Sequence, residues 1–416
     1  MSDFNQQLTQ RLAAIREAGL YRELRRVESA QGPRIDLGGR TLLNFSSNDY
    51  LGLANEPALK EAAIEAVRKF GAGAGASRLI CGSLAPHHEL DEALAEFKGV
   101  EAALSFSTGY AAALGTIGAL LDKDDIIVID KLVHASIVDA ARLCGAKLRV
   151  FAHNDLADLE RILQWAAEVQ SPKSKVQSRA RRPQVLIVTE SVFSMDGDQA
   201  PLRELVELKD KFGAWLMVDE AHATGLFGKN RRGLAEECGV AERIEIQMGT
   251  LGKALGAAGG YICGARVLID CLINRARSFI FSTAPVPAAA AAATAGVRLV
   301  QSAAGEERRA RLWQRVAGIL PAPGGATFLS PQPSGCGDKN VAAPSRSAII
   351  PIILGDEAKA VEAAARLRER GLFIPAIRYP TVARGAARLR LTLTAAHTAE
   401  DIAELRAALQ TLDIGL

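Results

Sequence analysis

The chain has 416 residues, of which 49% are hydrophobic and 23% charged, a composition typical of a globular protein and unlike that of a disordered chain. Its 50 basic and 47 acidic residues give a net charge of +3 without a basic stripe, so nucleic acid is not an expected partner. The N-terminus lacks a secretory signal, and the alanine-rich run at residues 287–300 is too short to span a membrane. We therefore expect a cytoplasmic protein that does not bind a membrane.

Length and cysteine spacing set two further expectations. A chain of this length exceeds the usual size of one domain, so we expect a large domain with a smaller partner. The six cysteines form no C-x-x-C pair and no spacing with histidine that is typical of a zinc site. The sequence therefore predicts no bound metal.

The predicted elements begin with a helix over residues 5–27, where apolar residues such as Leu8 and Leu12 recur at helical spacing and indicate packing on a neighbour. The segment RIDLGGRTLLNF then predicts a short hairpin. A second helix begins at Pro57 and runs to about Phe70, where the run GAGAGAS ends it.

Short apolar strands then alternate with helical stretches, in the segments ALSF, DDIIVID, KLRVFAH, QVLIVTE and AWLMVDE. Strands that are apolar at nearly every position are typical of a parallel sheet that is buried on both faces. The sequence therefore predicts an α/β fold with a mostly parallel sheet.

Two polar segments, residues 169–184 and 321–347, predict surface loops. The first is basic, so a docking patch for an acidic partner is the alternative to a solvated insertion. After them, SAIIPIILG, a helix over residues 356–370 and ARLRLTLT with the helix that follows form a β-α-β-α pattern of a small α+β domain. We predict three parts: an N-terminal segment at residues 1–50 that packs with the small domain, a large domain at 51–290 and the small domain at 291–416.

The first chemical motif is AWLMVDEAHATG, where an apolar strand ends in Asp219 and His222 follows three residues later. Ligands of open α/β sheets bind outside the carboxyl ends of the strands, so a carboxylate at this position is a candidate site residue. The alternative is a carboxylate that caps the next helix. The motif alone does not decide between the two interpretations.

The second motif is QMGTLGKALGAAGG, in which Lys253 stands among glycines and alanines. A Walker A loop is excluded because Gln247 and Ala254 occupy the positions of its first glycine and its hydroxyl residue. In a tight apolar environment desolvation lowers the pKa of a lysine and makes it a nucleophilic amine, which favours Schiff-base chemistry. The alternative is a surface lysine whose stem packs on apolar neighbours.

The third motif is SFSTGYAAALGT, a strand that turns into a helix near Gly109 and Tyr110. The N-terminus of a helix offers free N–H groups and the positive end of the helix dipole, both of which favour a phosphate. A phosphate seat, a carboxylate for a pyridinium nitrogen and a lysine amine are together what pyridoxal phosphate needs.

Many further motifs resemble, in order, those of the α-oxoamine synthases, a family of fold-type I enzymes that depend on pyridoxal 5′-phosphate: LNFSSNDYLGL, SRLICGS, HASIVDAARL, TESVFSMDGDQAPL, LMVDEAHATG, GTLGKALG, AIRYPT and ARLRLTLTAAH. The resemblance implies a large domain with a small C-terminal domain, pyridoxal phosphate as cofactor and a homodimer. It also implies a decarboxylative condensation of L-alanine with a pimeloyl thioester on coenzyme A or acyl carrier protein.

The resemblance implies roles for individual residues around the cofactor. Lys253 forms the Schiff base and moves protons at the α-carbon of the substrate. Asp219 pairs with the pyridine nitrogen. His134 stacks on the ring. The alternative is a histidine with a purely structural place at the start of a helix. His222 and Ser194 bind the region of the phenolic oxygen.

Other residues match the phosphate and substrate positions of the family. Thr250 holds the phosphate with the amides at Gly109 and Tyr110. Arg390 suits a bidentate grip on a carboxylate, and an ordinary surface charge is the alternative. The matched substrate positions, with His134, are Arg22, Asn48, Thr381 and Arg390.

The sequence is compatible with three other functions. Family members that use glycine, such as glycine C-acetyltransferase and 5-aminolevulinate synthase, share the core motifs. An aminotransferase shares the fold and the lysine but needs no thioester. A non-enzymatic binding module would form no Schiff base.

Overall fold

The computed structural model describes residues 3–170, 182–319 and 346–412 of the chain. The greater part of the two predicted surface loops therefore lies outside the described residues. Within the described ranges, none of the helices combines the length and the apolar character that crossing a membrane requires.

The N-terminal part of the described chain contains three helices and a hairpin, which are α1 (Asp3–Glu17), β1 (Arg34–Leu37), β2 (Arg40–Asn44), α2 (Pro57–Phe70) and α3 (Ala85–Lys98). The predicted hairpin is confirmed, since β1 and β2 pair antiparallel. The second helix is confirmed with the predicted bounds. A single turn at Arg78–Gly82 separates α2 from α3.

The first helix is shorter and more exposed than the sequence predicts. It ends at Glu17 rather than near residue 27, because Gly19 adopts a left-handed conformation with φ +67° and the N–H of Leu20 donates back to the carbonyl of Ile15. Within the single chain no residue of α1 is buried. The predicted packing of this helix on a neighbour is therefore wrong for the described chain.

The strands of the large sheet are β3 (Ala102–Phe106), β4 (Ile126–Asp130), β5 (Lys147–Phe151), β6 (Val185–Glu190), β7 (Trp215–Asp219), β8 (Ile246–Thr250) and β9 (Gly260–Gly264). Their order is β3-β9-β8-β7-β6-β4-β5, and β9 alone runs antiparallel to its neighbours. The predicted α/β fold with a mostly parallel sheet is confirmed.

The helices between and after these strands are α4 (Gly109–Leu120), α5 (Ala135–Leu143), α6 (Leu156–Gln170), α7 (Leu202–Phe212), α8 (Leu234–Glu237), α9 (Arg266–Arg275) and α10 (Arg277–Ile280). Alternate residues of β4 belong to different hydrophobic clusters, Ile126 and Val128 to one and Ile127 and Ile129 to the other. Both faces of the sheet are therefore buried, so ligands have access only at the ends of its strands.

The C-terminal part comprises α11 (Pro287–Gln301), α12 (Ala303–Ile319), β10 (Ile349–Gly355), α13 (Glu357–Glu369), β11 (Leu372–Phe373), β12 (Ala376–Ile377), β13 (Ala387–Thr392) and α14 (Ala399–Gln410). Strands β10 and β12 flank β13, both antiparallel to it. The short strand β11 pairs with β2, so the N-terminal hairpin forms one sheet with a C-terminal strand. The sequence did not predict β11 and β12, which are only two residues long.

The division into domains stays a prediction. Helix α11 packs on α2 and α3, although most of it lies beyond the predicted boundary at residue 290. The pairing of β2 with β11 accords with an N-terminal segment that joins the small domain.

Candidate active site

Asp219 is the last residue of β7 and lies at the carboxyl edge of the large sheet. Its side chain is buried, and Oδ1 accepts the N–H of Ala221 at 2.9 Å. A turn rather than a helix follows it, since the next helix begins only at Leu234, so the helix-cap interpretation is wrong. Burial raises the pKa of Asp219, and the positive charge of Lys253 opposes that rise.

Lys253 lies in the loop between β8 and β9 and is half-buried, with its Nζ 2.8 Å from Nε2 of His222. Burial lowers the pKa of Lys253 to about 8, although the carboxylates of Asp219 and Glu190 act in the opposite direction. The guanidinium of Arg390 lowers the pKa further. The interpretation of Lys253 as an exposed surface residue is therefore wrong, and its amine is poised for nucleophilic chemistry near neutral pH.

His222 connects Lys253 to a tyrosine in the N-terminal part of the chain. Its Nδ1 is hydrogen-bonded to the hydroxyl of Tyr50, a side chain that is only 1% exposed. Burial raises the pKa of Tyr50 to about 12, so its hydroxyl keeps its proton at neutral pH. Burial and the charge of Lys253 hold the pKa of His222 well below its usual range, so the imidazole is neutral.

His134 stands at the start of α5, near Asp219 and Lys253. Its Nδ1 is 2.8 Å from Oγ of Ser136 and also accepts the N–H of that residue, so it caps the helix as the structural alternative predicts. Desolvation lowers the pKa of His134, while the charge of Asp219 raises it and that of Lys253 lowers it. The ring is exposed in the chain, which leaves it accessible for a ligand at the edge of the sheet.

The predicted phosphate seat lies where α4 begins. The side chain of Thr108 caps this helix, and the N–H groups of Gly109 and Tyr110 belong to its first turn, where the helix offers them no acceptor. A methyl group built on Gly109 would lie 4.0 Å from Cβ of Thr250, so the two sites are neighbours. Tyr110 turns its exposed side chain away and donates to Asp139 at 2.7 Å.

Arg390 is buried on β13 and points to the loop after β6. Its Nε donates to the carbonyl of Ser194 at 2.6 Å, and Nη2 donates to Oδ1 of Asn48 at 3.1 Å. Only 5% of the residue is exposed, so the interpretation of Arg390 as an ordinary surface charge is wrong. The structure therefore brings Arg390, Asn48 and Ser194 together beside the tyrosine and the lysine.

Arg22 and Thr381 form a separate, exposed pair. Nη2 of Arg22 donates to Oγ1 of Thr381 at 3.4 Å. Within the described ranges no hydrogen bond joins either residue to Lys253 or its partners. The structure thus places these two predicted substrate residues with each other and not with the lysine.

Two buried residues of the site, Tyr50 and Glu190, were not predicted from the sequence. Tyr50 stands inside the quoted motif LNFSSNDYLGL, but no local signal pairs it with His222. Glu190 ends β6 and is in register with Asp219, and the rule that found Asp219 at a strand end could have found it. Its Oε1 has no hydrogen-bond partner among the described residues, and burial, together with Asp219, raises its pKa to about 8.

The chemistry of this donor set fits pyridoxal phosphate. A lysine amine with a lowered pKa faces a buried carboxylate, and a helix N-terminus beside Thr250 offers free N–H groups to a phosphate. The described residues contain no group of three or more His, Cys, Asp or Glu side chains that could hold a metal ion. The fold and the site therefore define an α/β transferase whose chemistry centres on a lysine and a pyridine cofactor.

The family model for aminotransferases of class I and II matches residues 40–409. An 8-amino-7-oxononanoate synthase from Anaeromyxobacter dehalogenans is 48% identical over 398 residues, which are 96% of this chain and 93% of the relative. The chain therefore belongs to the class I and II aminotransferase family and, within it, to the group of the 8-amino-7-oxononanoate synthases.

Solved structures agree with this assignment over nearly the whole chain. A serine palmitoyltransferase from S. paucimobilis with a bound PLP–myriocin aldimine is 30% identical, with a TM-score of 0.84 and 98% of each chain covered. An 8-amino-7-oxononanoate synthase from Francisella tularensis is 27% identical, with a TM-score of 0.68, covering 89% of this chain and 96% of that one. The fold is that of the fold-type I enzymes.

Proposed function

We propose that the chain catalyses the decarboxylative condensation of L-alanine with a pimeloyl thioester, which yields 8-amino-7-oxononanoate, carbon dioxide and the free thiol carrier in biotin biosynthesis. The observation that carries this proposal is the position of the Lys253 amine, which lies 2.8 Å from Nε2 of His222 at the carboxyl edge of the sheet where the buried Asp219 ends β7. The names of relatives that are up to 48% identical over 96% of the chain support the particular substrates.

Pyridoxal phosphate, when bound, supplies the electron sink that stabilises negative charge at the α-carbon of the amino acid. Lys253 would hold the cofactor through its amine and would move a proton at the substrate α-carbon. Asp219 pairs with the protonated ring nitrogen, a role supported by its burial beside the positive charge of Lys253. His134 would cover one face of the ring.

The remaining residues orient the cofactor and the substrates. His222 and Ser194 bind near the phenolic oxygen of the cofactor. Thr250 and the amides of Gly109 and Tyr110 hold the phosphate, which is supported by their position at the start of α4.

Five residues serve the substrates, and Arg390 and Asn48 are the best supported for the amino-acid carboxylate. The hydrogen bond between them fixes the guanidinium close to Tyr50 and Ser194. Arg22 and Thr381 lie apart from Lys253 and suit the second substrate, the thioester. His134 contacts the amino acid as it enters.

The assembly and compartment are part of the same proposal. We propose a homodimer that acts in the cytoplasm, on the basis of the family resemblance. In this proposal either coenzyme A or acyl carrier protein presents the pimeloyl group.

A competition assay tests the proposal. The purified holoenzyme is given alanine or glycine, each with thioesters from acetyl to pimeloyl on both carriers, and release of free thiol is followed. We expect the highest kcat/KM for alanine with a pimeloyl thioester, and no release by Lys253→Ala. Preference for glycine with acetyl-coenzyme A would contradict the proposal, as would amino-group transfer to a keto acid without any use of thioester.

A further inference from the structure

The loop after β6, residues 191–199, is held by more than one side chain of β13. We propose that Arg388 is a positioning residue, which fixes this loop so that Arg390 keeps the orientation in which it receives the carboxylate of the amino acid. This inference rests on the proposed function, in which Arg390 and Asn48 bind that carboxylate. Arg388 is not among the predicted site residues, and it acts only through the loop.

Arg388 and Arg390 contact consecutive residues of the loop. The two arginines are two positions apart in β13, so their side chains lie on the same face of the strand. Nε of Arg390 donates to the carbonyl of Ser194 at 2.6 Å. Nη1 of Arg388 donates to the carbonyl of Met195 at 3.3 Å and forms an ion pair with Asp196. The two arginines therefore hold three loop residues in a row.

The contact between Arg388 and Asp196 is largely shielded from water at the arginine and partly open at the carboxylate. Only 6% of Arg388 is exposed, and its Nε donates to the carbonyl of Ala386 at 3.1 Å, which fixes the direction of the guanidinium. A charge-assisted hydrogen bond in such a place is stronger than an exposed ion pair. The side chain of Asp196 is 31% exposed, so water can solvate it when Arg388 is replaced. We therefore expect a variant of Arg388 to fold.

The second half of the loop is held without Arg388. Gly197 has φ +72°, and a methyl group built on it would lie 2.4 Å from a backbone oxygen of β10, so loop and strand are in close contact. Asp198 is 2.7 Å from Nε2 of His153. Loss of Arg388 should therefore release only the part of the loop that is next to Ser194.

The orientation of Arg390 depends on that part of the loop. Its Nε is bonded to Ser194, its Nη1 to Oγ1 of Thr392 at 3.0 Å and its Nη2 to Oδ1 of Asn48 at 3.1 Å. Bonds at all three nitrogens fix the plane of the guanidinium, and a bidentate grip on a carboxylate depends on that plane. When the carbonyl of Ser194 moves, the guanidinium loses one of these bonds. The affinity for a carboxylate should then fall, while the affinity for an amine without a carboxylate should not.

Two ligands that differ only at the carboxyl group test the inference. The protein with bound pyridoxal phosphate is titrated with L-alanine and with L-alaninamide, which has no negative charge, and the visible absorbance of the cofactor reports binding. Arg388→Met removes the guanidinium and keeps an unbranched side chain. We expect this variant to bind alanine about tenfold more weakly, the size of one lost hydrogen bond to a charged group, and to bind alaninamide as the wild-type protein does. An equal loss for the two ligands, or no loss for alanine, would overturn the inference.

Arg309→Met is the matched control. Arg309 also pairs with a carboxylate, that of Glu306, and donates to a carbonyl, that of Gly228 at 2.6 Å, but no hydrogen bond among the described residues joins it to the loop or to β13. We expect both dissociation constants to stay unchanged in this control. Asp196→Asn removes the charge at the other end of the ion pair and should weaken alanine selectively, by a smaller factor than Arg388→Met because an amide oxygen still accepts.

A second measurement follows the loop itself, in the protein without cofactor. We expect the backbone amides of residues 193–197 to exchange hydrogen faster in Arg388→Met than in the wild-type protein and in Arg309→Met. Equal exchange in the three proteins would overturn the inference even if Arg388→Met fails to bind cofactor. A wild-type protein that binds alanine but releases no thiol from a pimeloyl thioester would contradict the proposed function instead, while the alanine and exchange measurements still decide on Arg388.

Discussion

The charges around Lys253 set the chemistry of the site at the scale of single residues. Burial and Arg390 lower the pKa of the amine, and two carboxylates, Asp219 and Glu190, raise it again. The net result is a pKa of about 8 instead of 10.5. A larger fraction of the amine is therefore neutral and nucleophilic near neutral pH than an exposed lysine would provide.

The pH dependence of cofactor capture follows from this value. Only the neutral amine attacks an aldehyde, so the rate at which the apoprotein binds pyridoxal phosphate covalently should rise as the pH passes about 8. Stopped-flow absorbance at a series of pH values measures this rate, with Lys253→Ala as the blank. A rate that rises only toward pH 10 would show that the site does not lower the pKa of Lys253.

Residue types in local motifs could be predicted, and long-range partners could not. Asp219 and Lys253 were found because a strand end and a run of small residues are visible in a few consecutive letters. Tyr50 meets His222 across 172 positions of sequence, and only the fold brings the two together. The burial of Arg390 escaped prediction for the same reason, since its partners come from the loop after β6 and from the N-terminal part.

At the scale of elements, one histidine joins the ends of three segments near the site. Nδ1 of His153, which follows β5, is 3.0 Å from Asp130 at the end of β4, and Nε2 is 2.7 Å from Asp198 in the loop after β6. Burial lowers the pKa of His153, but the hydrogen bonds and charges of the two carboxylates raise it to about 10. The imidazolium therefore fixes the loop that carries Ser194.

Replacement of His153 should destabilise the protein in a pH-dependent way. Because the pKa of His153 is higher in the folded chain than the usual 6.5, the stabilisation is complete below about pH 6.5 and disappears as the pH approaches 10. We expect His153→Gln to lower the free energy of unfolding by about 2 kcal/mol at pH 6 and by much less at pH 10. Urea unfolding at both pH values measures the difference, and an equal loss at the two would contradict the charged state of His153.

The phosphate seat depends on a close contact between β9 and the turn before α4. A methyl group on Gly260 would lie 2.5 Å from Cα and 2.6 Å from N of Gly109, much closer than van der Waals contact. The glycine at this position therefore lets the sheet approach the turn that presents the free N–H groups.

We expect Gly260→Ala to weaken the binding of pyridoxal phosphate by about tenfold, because the added methyl displaces the turn at a cost of about 1–3 kcal/mol. Gly118→Ala is the matched control. Gly118 lies in α4, the helix that begins at Gly109, and nothing lies within 4 Å of its added methyl. Cofactor titration followed by absorbance gives both dissociation constants. Equal affinities in the two variants would mean that the seat is not at Gly109.

Elements with a strong apolar periodicity were predicted well. Elements that exist only through pairing with another strand were not. The buried strands and α2 follow from apolar patterns and from Pro57. The end of α1 was misjudged because the apolar spacing continues past Gly19, which in fact ends the helix. The two-residue strands β11 and β12 exist only through their pairing with β2 and β13.

At the scale of the whole molecule, the site joins both ends of the chain. The N–H of Thr392 on β13 donates to the carbonyl of Phe45 at 2.9 Å, and the N–H of Ala395 donates to that of Tyr50 at 2.8 Å. The segment that carries Asn48 and Tyr50 is therefore held by the C-terminal part while it contacts the large sheet. No single stretch of sequence reveals this arrangement, although the order of the family motifs implies it.

Cofactor binding should consequently stabilise the protein as a whole. A ligand that binds only the folded state adds roughly 2.7 kcal/mol at about 100 times its dissociation constant. We expect the unfolding temperature of the wild-type protein to rise with the concentration of pyridoxal phosphate, and that of Lys253→Ala to rise much less. Scanning fluorimetry at a series of cofactor concentrations measures the two unfolding temperatures. An equal rise in the wild-type protein and in Lys253→Ala would argue against a covalent role of Lys253.

The fate of the alanine carboxyl group tests the proposed reaction most directly. The holoenzyme is incubated with pimeloyl-coenzyme A and alanine labelled at its carboxyl carbon, and carbon dioxide, free thiol and the amine product are quantified together. The proposed reaction predicts that the label leaves as carbon dioxide, one for each thiol released, and that the product has the mass of 8-amino-7-oxononanoate. Label retained in the product, or labelled pyruvate formed without free thiol, would contradict it.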